Sequence, residues 1–369
     1  MKRHNLDKFE LSQAYLFFYD KLEKANFFLE QILDTTDEPL DGRTVQRLME
    51  GPVGDGGQWD MVYNLVNKYG LVPQALYPDS FNAMASSGIN SLITTKLRED
   101  ALQLRALATS GTKNTQEITA IKEKMMREIH LILTLTLGPP PSPSTEIVWN
   151  YLDKYGNPKV LKTTPIAFAK ELSSPLSVRI TNSTVHDMFS LVNDPRNEYN
   201  TLLTVNRLGN IVGGRGITYV NVTMPVLKEA CIKMLSAGLP IFFGSDVGKY
   251  SNSTSGIMDL NLIDYELGFN VKLGMSKAQR LMVGESAMTH AMVLTAVHVE
   301  NGKSVRWRVQ NSWGAGAGTE GWFVMSDAWM DQFVYQAVVE PRFVSKEVRE
   351  VLKSKPTVLP LWDPMGALA

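Results

Sequence analysis

The stretch G-P-P-P-S-P-S-T, Gly138 to Thr145, limits this chain's fold more than any other feature. Four prolines in eight residues remove backbone donors and fix φ, so neither a helix nor a strand runs through them. The sequence on the two sides has a different texture. Before the break, apolar residues recur at helical spacing. After Trp149 they gather in short β-rich runs. Such a chain is predicted to be α+β, with a helical part and a separate sheet part.

On the helical side, Ser12 is placed to cap a helix from Gln13, with Tyr15, Phe18, Tyr19 and Leu22 along one stripe. The turn G-D-G-G, Gly54 to Gly57, feeds a predicted helix over Trp59 to Tyr69, with Gly70 past its end and Pro73 as a stop. Leu97, Ala101, Leu104 and Ala108 mark one arm of a helical hairpin. Asn114 with Glu117 reads as a capping box for the other arm, which carries Ile118, Ile121, Met125, Ile129 and Ile132. Lys122, Lys124 and Arg127 read as a solvated face of that arm.

On the sheet side, strands are predicted at Val178–Ile180, Phe189–Val192, Leu202–Val205, Thr218–Val222, Leu239–Gly244, His290–Val299, Ser304–Val309, Gly321–Met325 and Val334–Val339. They imply an antiparallel sheet or partial barrel. Pro225–Ala237 reads as a helix containing Cys231, and the tail from Val358 to Ala369 as extended. V-G-G-R-G, Val212 to Gly216, lacks the lysine and spacing of a phosphate loop and reads as a plain loop. The expected divisions are a helical domain over 1–87, a helical-hairpin insertion over 88–145, a β-rich domain over 146–345 and a C-terminal arm over 346–369.

The 369 residues carry a net charge of −1, which gives no support to a generally basic nucleic-acid binder. One cysteine excludes an internal disulfide and favours a reducing compartment such as the cytosol. No run of apolar residues is long enough to span a bilayer, so no membrane association is expected. The N-glycosylation-like triplets at Asn182, Asn221 and Asn252 read as chance, and no metal or cofactor is expected.

The chemistry concentrates in two places. His290 opens an apolar run, T-H-A-M-V-L-T-A-V. Asn311 follows another, in R-W-R-V-Q-N-S-W-G. A neutral imidazole can take a proton from a thiol, and the thiolate–imidazolium pair then stabilises itself. An amide oxygen on the other ring nitrogen fixes the ring's rotation and tautomer. Trp313 is placed to keep water off that bond. Alone, His290 reads as a satisfied core histidine and Asn311 as a turn residue; the joint pattern makes them a candidate pair. His4, His130, His186 and His298 lack such company.

With H-A-M and N-S-W-G in place, the chain resembles papain-like cysteine peptidases. E-L-S-Q-A-Y-L-F-F-Y-D-K (10–21), D-G-G-Q-W-D-M (55–61), L-V-N-D-P-R (191–196), G-E-S-A-M-T-H-A-M (284–292) and L-W-D-P-M-G-A-L-A (361–369) point to the bleomycin hydrolase family in particular. The resemblance implies a papain-like fold and a cysteine aminopeptidase. His290 would be general base and Asn311 its orienting partner, with Gly56 and Gly57 lining the substrate cleft. It also implies that the C-terminal arm lies along the cleft, where the carboxylate of Ala369 meets the substrate's free amine. Implied substrates are peptide N-termini, bleomycin and homocysteine thiolactone. Implied partners are five further copies in a homohexamer and, in some relatives, single-stranded nucleic acid. The implied location is cytoplasmic, with a mitochondrial form.

One element of the family pattern is missing. The family's nucleophile sits in a Gln, Gly/Ser turn, Cys-Trp segment that opens a central helix, and no such segment is present. Cys231 lies mid-helix at an apolar-stripe position, and neither Ser245, Ser286 nor Ser312 opens a helix behind a Gln-bearing turn. Loss of the nucleophile costs on the order of 10⁶ in kcat, or roughly 8 kcal/mol of barrier. The expectation is therefore an N-terminally truncated version of an active enzyme, inactive by itself, or else a non-catalytic peptide-binding subunit.

Overall fold

The computed structural model describes residues 1, 4–172 and 187–367. The expected strand at Val178–Ile180, His186, Asn182 and Ala369 lie outside the described residues. The chain forms two compact units. One comprises Met1–Asp55, Asp60–Thr184 and Gly209–Gly216; the other comprises Gly56–Trp59, Val185–Leu208 and Ile217–Ala369.

The first unit is mainly helical. Ser12 caps the helix Gln13–Leu33, its hydroxyl accepting from the Tyr15 N–H at 3.1 Å. That helix buries Tyr15, Phe18, Tyr19, Phe28, Leu29 and Ile32 on one side. The hairpin helices are Ser87–Ser110 and Thr115–Leu137, the second with a complete capping box between Asn114 and Glu117. Their apolar stripes enter the same core as Tyr15 and Phe18. The hairpin therefore shares the helical unit's core, whereas the expected division drew it as a separate insertion. Lys122 corrects the reading of a solvated face. Only 11% of its side chain is exposed, and it pairs with Glu30 and bonds Asn26 at 3.0 Å.

Residues beyond the Pro-rich break also join this unit. Ile147–Leu152 and Pro158–Thr163 form an antiparallel hairpin. Its turn is held by Asp153, whose Oδ1 accepts the N–H groups of Tyr155 and Asn157, both at 2.9 Å. Pro165–Leu172 follows as a helix. Gly70, with φ +77°, sits where an added Cβ would lie 2.2 Å from the Pro165 carbonyl, so only glycine fits both the backbone and the space. The V-G-G-R-G loop is drawn into this unit by Asn64. Its amide bonds the Arg215 N–H at 2.8 Å and carbonyl at 3.0 Å, while Arg215 pairs with Asp60 at 2.8 Å.

Among the described residues, the second unit is built on an eleven-stranded sheet. In spatial order its strands are Thr357–Leu359, Thr201–Val205, Tyr219–Asn221, Phe189–Val192, Val334–Val339, Ile241–Ser245, His290–Glu300, Lys303–Gln310, Trp322–Ser326, Ile257–Met258 and Ser251–Asn252. Most neighbours are antiparallel, as the short alternating runs predict. Three pairs are parallel and join residues distant in sequence, among them Thr357–Leu359 with Thr201–Val205. Val334–Val339 is buried at every position, which suits a strand in the middle of the sheet. Met224–Ser236 packs as a helix on this central region, against Val334–Val339, Ile241–Ser245 and His290–Glu300. The tail is a short strand followed by a single helical turn at Pro364–Gly366, so the expected fully extended arm is broken there. Asn221 is wholly buried in the sheet, which excludes it as a glycosylation site.

Candidate active site

His290 is the first residue of its strand and faces Ser245 across the antiparallel pair. The segment before it is fixed from two sides. The Ser286 hydroxyl bonds Asp246 Oδ2 at 2.7 Å and the Tyr335 hydroxyl at 2.6 Å. Met288 lies so close over Gly244 that a Cβ there would meet its sulfur at 2.1 Å. The imidazole thus projects from a rigid strand end rather than from a free loop.

Asn311 is the residue just past the Lys303–Gln310 strand, its N–H donating to the Gly321 carbonyl at 3.0 Å. The residue is buried, with 8% of its surface exposed. Asn311 Oδ1 accepts the Ser312 N–H at 2.8 Å and lies 2.8 Å from His290 Nε2. The first of these bonds settles the second. A backbone N–H can only donate, so the atom facing it is the amide oxygen. An amide oxygen can only accept, so the His290 nitrogen facing it carries the hydrogen. The Nδ1 lone pair is then the basic position of the ring.

Trp313 stacks on His290, with ring centroids 4.9 Å apart and planes inclined by 29°. It meets Phe323 edge-on at 6.0 Å, which holds the indole over the imidazole. With 45% of its surface exposed, Trp313 covers one face of the ring and meets solvent on its own outer side. The structure therefore brings together His290, Asn311 and Trp313.

The other candidate residues are placed less closely. Gly56 and Gly57 belong to the sheet unit and lead into the Trp59–Tyr69 helix. A Cβ on Gly57 would meet nothing within 4 Å, so neither packing nor φ demands a glycine there. Ala369 lies outside the described residues.

Cys231 is on the buried face of the Met224–Ser236 helix, wholly enclosed, and burial pushes its thiol up to about 12. Such a thiol stays protonated at neutral pH and is no nucleophile. Ser245 and Ser286 are buried, while Ser312 acts through its backbone N–H on Asn311. Among the described residues no group of His, Cys, Asp and Glu could hold a metal ion, and no helix is long and apolar enough to cross a membrane. His4 sits in an aromatic cluster with Trp149, Tyr151 and Phe168, His130 packs against Phe18, and His298 pairs with Glu300 at 3.2 Å.

Sequence reasoning missed Gln58, Arg196 and Asp363 as contributors to this unit. All three lie inside the stretches quoted for the family resemblance, which is the signal that could have found them.

Comparison with known proteins identifies the family and the fold. The model of the Peptidase C1-like family matches residues 1–366. The chain is 44% identical to bleomycin hydrolase of Homo sapiens, over all of this chain and 81% of that protein. It is 42% identical to mitochondrial cysteine proteinase 1 of Saccharomyces cerevisiae (strain JAY291), over 99% of this chain and 75% of that one. The crystal structure of PepW from Lactobacillus rhamnosis superposes with a TM-score of 0.93 at 43% identity, covering all of this chain and 81% of the other. The α+β fold is thus that of the papain-like peptidases. By sequence and fold alike, the chain belongs to the Peptidase C1-like family of cysteine peptidases, among the relatives of bleomycin hydrolase.

Proposed function

We propose that this chain carries the base half of a cysteine aminopeptidase. His290 takes the thiol proton at Nδ1 and later returns it to the leaving amine, Asn311 holds the ring, and Trp313 shields the bond between them. Gly56 and Gly57 offer backbone hydrogen bonds to a substrate strand. Substrates are peptides with a free N-terminus, and the same acyl chemistry extends to the bleomycin amide and to homocysteine thiolactone. The observation that carries this reading is the pair of 2.8 Å contacts at Asn311 Oδ1, because together they leave the basic lone pair on Nδ1.

The attacking thiol is not Cys231, so the 369-residue chain by itself turns nothing over. The burial of that thiol also favours a second reading, in which the chain is a non-catalytic subunit that binds peptides and assembles with complete copies as a hexamer. Both readings place the protein in the cytoplasm, with a mitochondrial form suggested by the name of the yeast relative.

One experiment addresses the proposal. The chain is incubated with an unblocked peptide, with and without iodoacetamide, and both peptide binding and residue release are followed. Binding of intact peptide with no release, and no alkylation of Cys231 until the protein is denatured, is the expected result. Release of residues that iodoacetamide abolishes would overturn the assignment of Cys231 as inert. Failure to bind any unblocked peptide would overturn the aminopeptidase reading itself.

A further inference from the structure

Within the sheet unit, Val271, Leu273 and Met275 expose their apolar side chains along one side of a cavity of about 650 Å³. That size suits a small organic ligand. None of His290, Asn311 and Trp313 lines it. Another part of its wall is aromatic. Tyr250 stacks on the buried Phe333, with centroids 5.8 Å apart, and meets Tyr265 edge-on at 5.9 Å. Tyr250 has φ +46°, a left-handed conformation that a bulky residue seldom adopts. Backbone strain of this kind persists where its placement of a side chain is useful, as at a ligand clamp.

The charges around the cavity are not balanced pair by pair. Glu266 and Lys272 bridge each other at 3.0 Å. The other two charged lining residues are Asp264 and Arg280, and neither has an ion-pair partner among the described residues. Asp264 Oδ1 accepts the Leu267 N–H at 2.9 Å, which caps the turn of helix Tyr265–Phe269. Arg280 Nη1 donates to the Met275 carbonyl at 2.6 Å, and Nη2 to the Gln332 carbonyl at 3.2 Å and Oε1 at 2.8 Å. All three oxygens are neutral. Arg280 Nε is shut off from solvent and has no partner among the described residues. The guanidinium lies over the Phe333 ring, 4.9 Å from its centroid. Glu285 feels the guanidinium but is bonded to Lys249 at 2.6 Å. A partly enclosed guanidinium without a carboxylate is costly, and its planar fork suits a carboxylate ligand.

We propose that this cavity binds a short zwitterionic peptide with apolar side chains. Its carboxylate meets Arg280, its ammonium meets Asp264, and its side chains lie against Tyr250, Tyr265 and Phe333. A ligand with a carboxylate alone would leave Asp264 unpaired, and one with an ammonium alone would leave Arg280 so. Arg280 and Asp264 line the same cavity without pairing with each other. Two extended residues span about 7 Å, so a dipeptide carries its own charges apart in the same way. This inference goes beyond the aminopeptidase reading and does not depend on it.

The test uses the 369-residue chain and three probes: leucyl-phenylalanine, its N-acetyl form and its C-terminal amide. Dissociation constants are measured by calorimetry for the unmodified chain, for Asp264→Asn, which keeps a capping side chain, and for Arg280→Gln. The dipeptide should bind the unmodified chain at least about tenfold more tightly than either blocked form, since each block removes a charge-assisted contact. Asp264→Asn should weaken the dipeptide about tenfold and leave the N-acetyl form unchanged. Arg280→Gln should weaken the dipeptide likewise and leave the C-terminal amide unchanged. Amide shifts of Tyr265 and Gly274 should move on titration, while the His290 ring nitrogens stay still. A merely structural role would weaken all three probes by one factor, which overturns the proposal. So does a dipeptide that fails to bind, or one that moves His290 instead; the latter leaves the aminopeptidase reading standing. Shifts at Tyr265 and Gly274 that follow protein concentration rather than dipeptide would assign the cavity to a second copy and overturn it too. Should Arg280→Gln not fold, Asp264→Asn with the N-acetyl probe decides.

Discussion

The buried lysines of the two units are held differently. In the helical unit, Lys21 is wholly enclosed and bonds Asp55 Oδ1 and the Val53 carbonyl, both at 2.5 Å. Lys24, also buried, pairs with Asp20 at 2.5 Å. In the sheet unit, Lys277 has neutral partners: the Val334 carbonyl at 2.6 Å, Asn193 Oδ1 at 2.9 Å and the Tyr335 ring at 4.8 Å. His290 likewise leans on an amide, Asn311. A carboxylate partner favours the charged form of a cation, although burial still lowers the Lys21 ammonium from its ordinary value against the pull of Asp55. An amide orients the group and leaves its proton free to move, which a base must be able to do. The contrast therefore separates lysines held by a carboxylate from one held only by neutral atoms.

Lys277 offers the largest test of that contrast. Burial pulls its ammonium from 10.5 down to about 7. Between those values the unfolded chain binds a proton that the folded chain does not. Stability should therefore rise with pH from 7 to about 10.5 and be lowest below 7. The full span is on the order of 4–5 kcal/mol, at about 1.4 kcal/mol per unit. Urea denaturation across that range should show the rise. Lys277→Met removes it, and Asn193→Asp, which supplies the missing carboxylate, should flatten it as well. A slope that survives both substitutions breaks the comparison.

Next in size is Asp55→Ala. It strands the Lys21 ammonium and should destabilise by about 3 kcal/mol, the low end for a broken buried pair because half of the Asp55 side chain meets solvent. The double variant Lys21→Met, Asp55→Asn should recover most of this. A loss equal to that of the double variant would mean the pair carries no special weight.

The smallest effect belongs to the neutral pair. Asn311→Ala removes the acceptor for His290 Nε2 and for the Ser312 N–H, at a cost of about 1–2 kcal/mol. Nitrogen-15 shifts of the imidazole should then report a mixture of tautomers where the unmodified chain shows the Nε2–H form alone. A single tautomer in the variant would show that Asn311 does not orient the ring.

Much of this architecture is visible in local pattern. The Ser12 cap, the Asn114–Glu117 capping box, the Trp59–Tyr69 helix and the Val334–Val339 strand appear where periodicity and end signals place them. Short helices escaped. Lys277–Met282, Asp327–Phe333 and Lys346–Val351 are each too brief for a periodic stripe, and only their serine caps, Ser276, Ser326 and Ser345, betray them. Arg43–Glu50 starts behind Gly42 with no side-chain cap, and Pro165–Leu172, although Thr164 caps it and Pro165 opens it, is equally brief; neither is predicted from the sequence. At the site, His290, Asn311 and Trp313 were legible because two apolar strands end on them. Gln58 was not, because nothing in its neighbours announces a partner at Ala367.

The sequence by itself determined which of the longer segments are helix or strand, where most of them begin, and that one imidazole and one amide have the makings of a catalytic base and its orienting partner. Those are properties of neighbours along the chain, set by side-chain period and capping chemistry. Only the tertiary structure decided which tautomer the imidazole adopts, that the sole thiol is sealed away, which buried lysine meets a carboxylate, and that three distant stretches, through Gln58, Arg196 and Tyr219, grip residues 363–367. Each of those depends on which polar atoms meet once water is excluded, and that is fixed by packing between residues far apart in the chain.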